Sequence, residues 1–158
     1  MKRIGAAVAG CLGLCIAVAQ QRDFSEGVTA YEKKDYATAF TVWEPLAEGG
    51  SAAAQFNLAL LFYDGRGVPQ DFERAAKWFE KAADQGFTSA QRNLAALYFS
   101  GKGVKRDSVQ SYKWFSLCAA SGNDTCAEHR DIVAKKLNAS KLAEAQRLAR
   151  EWKPKGGS

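Results

Sequence analysis

The chain has 158 residues and a formal net charge of +5. This length fits one domain that is large enough to bury a hydrophobic core. Aromatic residues accompany the basic ones but recur at regularly spaced apolar positions, so a nucleic-acid partner is not predicted.

The N-terminus has the features of a secretory signal peptide. Two basic residues precede the uncharged run Ile4–Ala19, which is shorter than the roughly 20 apolar residues of a membrane span. We predict removal of residues 1–19, no stable membrane insertion afterwards, and a periplasmic or secreted location in a bacterial envelope. Two alternatives stay open, which are an uncleaved anchor and lipoprotein processing with Cys11 as the acceptor.

Residues 20–50 predict an N-terminal helical hairpin. Asp35 lies 36 residues before Asp71, so this segment keeps the register of the repeats that follow it. It lacks their glycine-rich loop, and its Gly27, Tyr31 and Asp35 resemble a tetratricopeptide hairpin with a tight turn. Terminal units of solenoids are often atypical, because one of their faces meets water. We therefore interpret this segment as the N-terminal cap.

Residues 51–86 and 87–122 are two copies of one internal sequence repeat. The matching pairs are Ala54-Gln55 and Ala90-Gln91, Asn57-Leu58-Ala59 and Asn93-Leu94-Ala95, Gly65 and Gly101, Gly67-Val68 and Gly103-Val104, Asp71 and Asp107, and Lys77-Trp78-Phe79 and Lys113-Trp114-Phe115. A fixed period of this length is typical of a solenoid, in which each unit buries its apolar face against its neighbours.

Each copy predicts two helices joined by a loop. Gly65 ends the first helix, where a left-handed conformation suits glycine, and Asp71 stands at the N-cap position of the second helix. The structural glycines predicted for the two loops are Gly65, Gly67, Gly101 and Gly103.

The duplicated pattern, Ala-Gln-x-Asn-Leu-Ala-x-Leu, then Gly-x-Gly-Val-x-x-Asp, then Lys-Trp-Phe, resembles the Sel1-like repeat, a relative of the tetratricopeptide repeat with a longer loop. The resemblance implies an all-α, right-handed α/α solenoid of helix pairs that binds proteins or peptides. It implies no active site.

The cysteines Cys118 and Cys126 take the places of Ala82 and Ala90 in the repeat register. Their eight-residue spacing resembles the secreted, cysteine-rich branch of the Sel1-like family, in which a disulfide bridges successive helices at this point. The resemblance and the expected oxidising compartment predict a disulfide. Two buried free thiols are the alternative.

After Gly122 the period decays. Residues 123–153 predict a C-terminal capping pair of helices, the second of which begins after Asn138 and has a stripe that includes Ala145 and Trp152. Residues 154–158 predict a flexible tail.

The sequence offers few residues for catalysis. His129 lies on a charged helix without partners in a zinc-binding pattern, so we expect a solvated histidine, no metal, no cofactor and no catalytic residue. The glycine turns lack the third glycine and the preceding strand of a phosphate loop.

A binding function is therefore favoured, with an unidentified protein or peptide on the concave face formed by the first helices. Core positions repeat between the two copies, whereas facing positions vary, and the varying positions are Phe56, Leu60, Tyr63, Arg92, Ala96 and Phe99. A monomer is favoured. The alternative is a cell-wall or β-lactam-directed hydrolase, an activity ascribed to some cysteine-rich relatives.

Overall fold

A computed structural model describes residues 24–156, so the predicted signal peptide lies outside the described residues. This part of the chain contains eight helices and no strand. They are α1 (residues 24–32), α2 (Tyr36–Glu48), α3 (Ala52–Asp64), α4 (Phe72–Asp84), α5 (Thr88–Ser100), α6 (Ser108–Ala120), α7 (Asp124–Ala134) and α8 (Ala139–Glu151).

The helix ends follow from local sequence signals that recur in both repeats. Gly65 and Gly101 end α3 and α5 in the left-handed conformation, and their amides donate to the carbonyls of Leu61 and Leu97. Asp71 accepts a hydrogen bond from the amide of Arg74 and so caps α4; Asp107 caps α6 in the same way.

The helices stack in chain order into a solenoid. Helix α3 packs on α4, α5 packs on α6, and each second helix also packs on the first helix of the next pair. The largest fully buried side chains form one continuous core, which includes Trp43, Leu58, Leu61, Phe79, Leu94 and Trp114. The predicted all-α solenoid fold is confirmed.

The C-terminal helices close the stack without repeating its geometry. Both α7 and α8 pack on α6, and the ring of Trp152 lies edge-on to that of Trp114 at 6.2 Å. Trp114 is consequently buried, whereas its counterpart Trp78 stays half-buried beneath the ammonium of Lys81. In α7 the side chain of Val133 is fully buried, whereas that of its neighbour Ile132 is 49% exposed.

The residues after α8 return to the first central repeat. The backbone amide of Lys155 donates to the carbonyl oxygen of Asp84 at 2.7 Å, and its ammonium donates to an Asp84 carboxylate oxygen at 2.6 Å. This double contact ties the start of the predicted tail to the end of α4.

Candidate functional site

Four of the six candidate face residues line one open groove between α3 and α5. Leu60 and Tyr63 form its α3 side, and Arg92 and Ala96 form its α5 side. The groove holds about 460 Å³, and Asn93, Leu97, Ser100 and Lys102 complete its lining. We call it the first-helix groove. Its mixture of an aromatic ring, aliphatic groups and a few polar groups is typical of a binding surface.

Phe56 is not part of the lining of this groove. Its ring packs against those of Phe79 at 5.8 Å and Phe87 at 5.1 Å. Phe87 is the residue that precedes α5, so Phe56 links α3 to the next repeat. The side chain is half-buried, and its contacts are those of a packing residue.

Phe99 lies on the same stripe of α5 as Arg92 and Ala96, at helical spacing. Its ring faces two cations from other elements. The guanidinium of Arg106 lies 5.8 Å from the ring centroid, and the ammonium of Lys136 lies 5.6 Å from it. Both cations line a second open groove of about 710 Å³ at the start of α6, which we call the α6 groove.

The loop glycines hold neighbouring repeats together as well as ending helices. All four predicted glycines have positive φ, between 67° and 73°. A Cβ on Gly67 would lie 2.8 Å from the backbone carbon of Tyr36, and one on Gly103 would lie 2.1 Å from the carbonyl oxygen of Phe72. Tyr36 and Phe72 are the first residues of α2 and α4. Each loop therefore packs directly on the preceding second helix, where no larger residue fits.

The residue between the two glycines adds a contact that the sequence analysis missed. The Arg66 guanidinium lies over the rings of Tyr31 and Tyr36 and donates to the Tyr31 hydroxyl. Lys102 lies over the Phe72 ring at 5.4 Å in the next repeat. The signal was present, because a basic residue occupies both Gly-x-Gly loops and an aromatic residue begins both preceding helices.

The duplicated glutamines join consecutive repeats inside the core. The Gln55 amide donates to the Ala47 carbonyl at 3.0 Å, and the Gln91 amide donates to the Ala83 carbonyl at 3.3 Å. Both side chains are at most 4% exposed. Each of these carbonyls also accepts from a backbone amide, that of Gly50 or Gly86, so the glutamine adds a second hydrogen bond that links consecutive repeats. The repeated Ala-Gln pair was visible in the sequence, although its role was not inferred.

Cys118 and Cys126 form a disulfide, with their Cα atoms 5.8 Å apart. Both residues are fully buried, as are Ala82 and Ala90 at the matching positions of the preceding joint. The bond joins the end of α6 to the start of α7, as the repeat register and the family resemblance predicted.

The titratable groups show packing effects. Burial raises the pKa of Tyr98, with a smaller contribution from Glu80, and burial lowers the pKa of Lys113. His129 is exposed, stacks on Phe115 at 5.2 Å and contacts the Thr125 carbonyl through Nδ1.

Two features of residues 24–156 bear on metal binding and membrane insertion. No cluster of three or more His, Cys, Asp or Glu side chains there is arranged to hold a metal ion. None of the helices in the same range has the length and hydropathy of a membrane span.

These features define an α/α solenoid whose joints use glycine loops, buried glutamines and, at the last joint, a disulfide. The Sel1 repeat family model matches residues 52–87 and 88–123. The chain therefore carries two Sel1 repeats. Membership of the secreted, cysteine-rich branch of that family stays a prediction.

Two solved structures are similar to this fold. One is c5321, a protective antigen present in uropathogenic Escherichia coli strains that displays an SLR fold. It is 34% identical with a TM-score of 0.80, over 84% of this chain and 29% of that one. The other is a Sel1 repeat protein from Oxalobacter formigenes, 27% identical with a TM-score of 0.67, over 82% of this chain and 56% of that one. The chain thus spans under two thirds of either protein. No curated protein matches it significantly.

Proposed function

We propose that this chain is an exported protein-interaction module that binds a peptide or a protein domain in the first-helix groove. The observation that carries the proposal is the convergence of Leu60, Tyr63, Arg92 and Ala96 on that one groove. Proteins of the Sel1 and SLR fold are commonly interaction modules, and this supports a protein partner.

The disulfide supports the export part of the proposal. A bond between two buried cysteines is typical of proteins that fold in an oxidising compartment such as the periplasm. It agrees with the signal peptide predicted from residues 1–19. Intact-mass measurement of envelope material tests this part, because a retained Met1 or a lipid on Cys11 contradicts it.

The hydrolase alternative gains no support from the described residues. His129 is the one histidine of the chain, and its ring stacks on Phe115 while Nδ1 contacts a backbone carbonyl. No specific observation within residues 24–156 favours catalysis, so the binding module is the function that we propose.

The test fills the groove without disturbing the core. Ala96 is exposed on α5, so Ala96→Trp places a large ring in the groove while the fold is retained. Ala37→Trp adds the same ring at an exposed position on α2 and serves as the matched control. We expect a partner captured from a periplasmic extract by the wild type and the control to be lost with Ala96→Trp. Equal capture by all three proteins contradicts the proposal.

A further inference from the structure

The α6 groove is open because the last helix pair lacks the glycine loop that the two central pairs have. The connection between α7 and α8 comprises residues 135–138 and carries no Gly-x-Gly-Val sequence. In the two preceding joints that loop packs on the first residue of the previous second helix, which is Tyr36 or Phe72. The corresponding residue at the third joint is Ser108, and it lines the open groove.

The cations around this groove and its neighbour have no anionic partner in the described chain. Arg92 and Lys102 line the first-helix groove, and Arg106, Lys136 and Lys141 line the α6 groove. We call these five residues the basic face. All five are exposed, and none forms an ion pair with another residue between 24 and 156. Elsewhere in the molecule Lys77 pairs with Glu73 at 2.7 Å, and Lys155 pairs with Asp84.

Neither acid that lines the α6 groove forms an ion pair with a cation of the basic face. Asp107 uses a carboxylate oxygen to accept from the amides of Val109 and Gln110 at the start of α6. Glu144 is the other acid in the lining. Arg106 and Lys136 both lie over the Phe99 ring and both line the α6 groove, so an anion bound in the groove is attracted by two positive charges.

The basic face also sits in the basic half of the chain. Residues 87–122 carry a net charge of +4 and residues 123–158 carry +3, whereas residues 20–50 carry −3 and residues 51–86 carry −1. A field of this polarity orients an incoming partner and speeds its association.

We infer that the basic face binds an acidic polypeptide segment, which enters the α6 groove at the position that the missing third loop leaves open. This inference rests on the proposed function and names the chemistry of its partner. A polypeptide is favoured over a membrane surface or a nucleic acid for a structural reason. A segment of chain fills the same position at the two earlier joints, and the cations line two open grooves, with Arg106 and Lys136 also over the Phe99 ring.

The experiment measures fluorescence anisotropy with the mature protein and a short labelled peptide rich in Glu and Gly. Its counterpart with Gln in place of Glu is the uncharged probe. We expect binding of the acidic peptide only, weakened by salt between about 50 and 200 mM. The double variant Arg106→Glu/Lys136→Glu weakens binding about tenfold or more. The variant Lys33→Glu changes an exposed lysine of the N-terminal hairpin and leaves binding nearly unchanged.

Several outcomes overturn the inference. One is equal binding of the acidic and the uncharged peptide, and another is a loss of peptide binding with Lys33→Glu as large as that with the double variant. A third is that anionic vesicles or single-stranded DNA bind more tightly than the acidic peptide and that Arg106→Glu/Lys136→Glu weakens their binding to the same extent. A captured partner that is lost with Ala96→Trp but kept by the double variant overturns this inference alone and leaves the proposed function standing. Capture that neither variant changes overturns both.

Discussion

The joint between the two central repeats and the joint that follows them hold equivalent helices together by different means. At the central joint, where α4 meets α5, the buried Gln91 donates to the Ala83 carbonyl, and the next loop places Gly103 against Phe72. At the C-terminal joint, where α6 meets α7, Ala127 stands in the place of Gln91 and the third loop is missing. There the disulfide between Cys118 and Cys126 joins α6 to α7 covalently.

The difference follows from the number of neighbours that each joint has. The central joint has further helix pairs on both sides, so many non-covalent contacts stabilise it. The C-terminal pair packs mainly on α6, with smaller contacts to Phe99 of α5 and Asp84 of α4, and it gains most from a covalent bond that limits how far α7 can separate. The two joints therefore respond differently to mutation and to reduction.

The largest expected effect breaks the central joint. Gly103→Ala adds a Cβ 2.1 Å from the Phe72 carbonyl and also strains a positive φ, so we expect a loss of about 3 kcal/mol in the free energy of unfolding. Urea denaturation measures it. Gly122→Ala is the matched control, because Gly122 has a φ of +86° and open space around its Cβ position.

The control isolates the contact between repeats from backbone strain alone. We expect Gly122→Ala and Gly101→Ala to lose about 1 kcal/mol each. Lys102→Ala removes only an exposed cation from the Phe72 ring and loses less than either. A Gly103→Ala protein as stable as Gly122→Ala contradicts the close packing of the loop on α4.

The second prediction breaks the C-terminal joint. In the chain-entropy model, a disulfide that closes so short a loop contributes about 2.5 kcal/mol. Reduction therefore speeds amide exchange in residues 123–152 first, while residues 54–119 stay protected. Hydrogen-exchange mass spectrometry under oxidising and reducing conditions measures this difference. Uniform loss of protection along the whole solenoid is the result that argues against a separate C-terminal unit.

A separate measurement tests whether the bond is present in the exported protein. Thiol titration of the unfolded protein, prepared directly from the envelope without reductant, is expected to find no free thiol. Two reactive thiols in that material contradict both the bond and the proposed oxidising compartment.

The third prediction sharpens the role of the buried glutamine at the central joint. Gln91→Met keeps the side-chain volume but removes the side-chain hydrogen bond to the Ala83 carbonyl, which still accepts from the Gly86 amide, so we expect the free energy of unfolding to fall by about 1 kcal/mol. Gln146→Met on the half-buried face of α8 is the control, with little expected change. Equal thermal melts for the two variants show that the Gln91 hydrogen bond contributes nothing.

The sequence predicted those features that local signals determine. Gly65 and Gly101 end helices, and Asp71 and Asp107 begin them, because each acts on backbone groups within a few residues of itself. Each signal was stronger because it appears twice, 36 residues apart. The register also placed Cys118 correctly beside its partner, since the joint had a small residue at that position in the preceding repeat.

The contacts between repeats were harder to predict, because they depend on how the helices stack. The contact of Gly103 with Phe72 depends on how neighbouring helices pack, and so does the hydrogen bond from Gln91 to Ala83. Neither contact is visible in one segment of the sequence alone. Variation between the copies selected residues that lie in two different environments. It selected Arg92, which lines the groove, together with Phe56, which packs against Phe79 and Phe87.

The smallest expected effect concerns the contact that ties the end of the chain to α4. Hydrogen bonding with Asp84 raises the pKa of Lys155 above its ordinary value of 10.5. The stabilisation of the folded state by this pair is therefore fully present below pH 10.5, and it is lost as the pH rises through the pKa that Lys155 has in the folded protein. Lys155→Met should speed amide exchange in residues 152–155 while the melting temperature stays unchanged, because the pair is exposed and the backbone bond from residue 155 to Asp84 is kept. Lys153→Met, at an exposed neighbouring position, should change neither quantity. If the two variants exchange alike, the ammonium of Lys155 does not hold the tail, and the C-terminal joint relies on the disulfide and the packing of α8 alone.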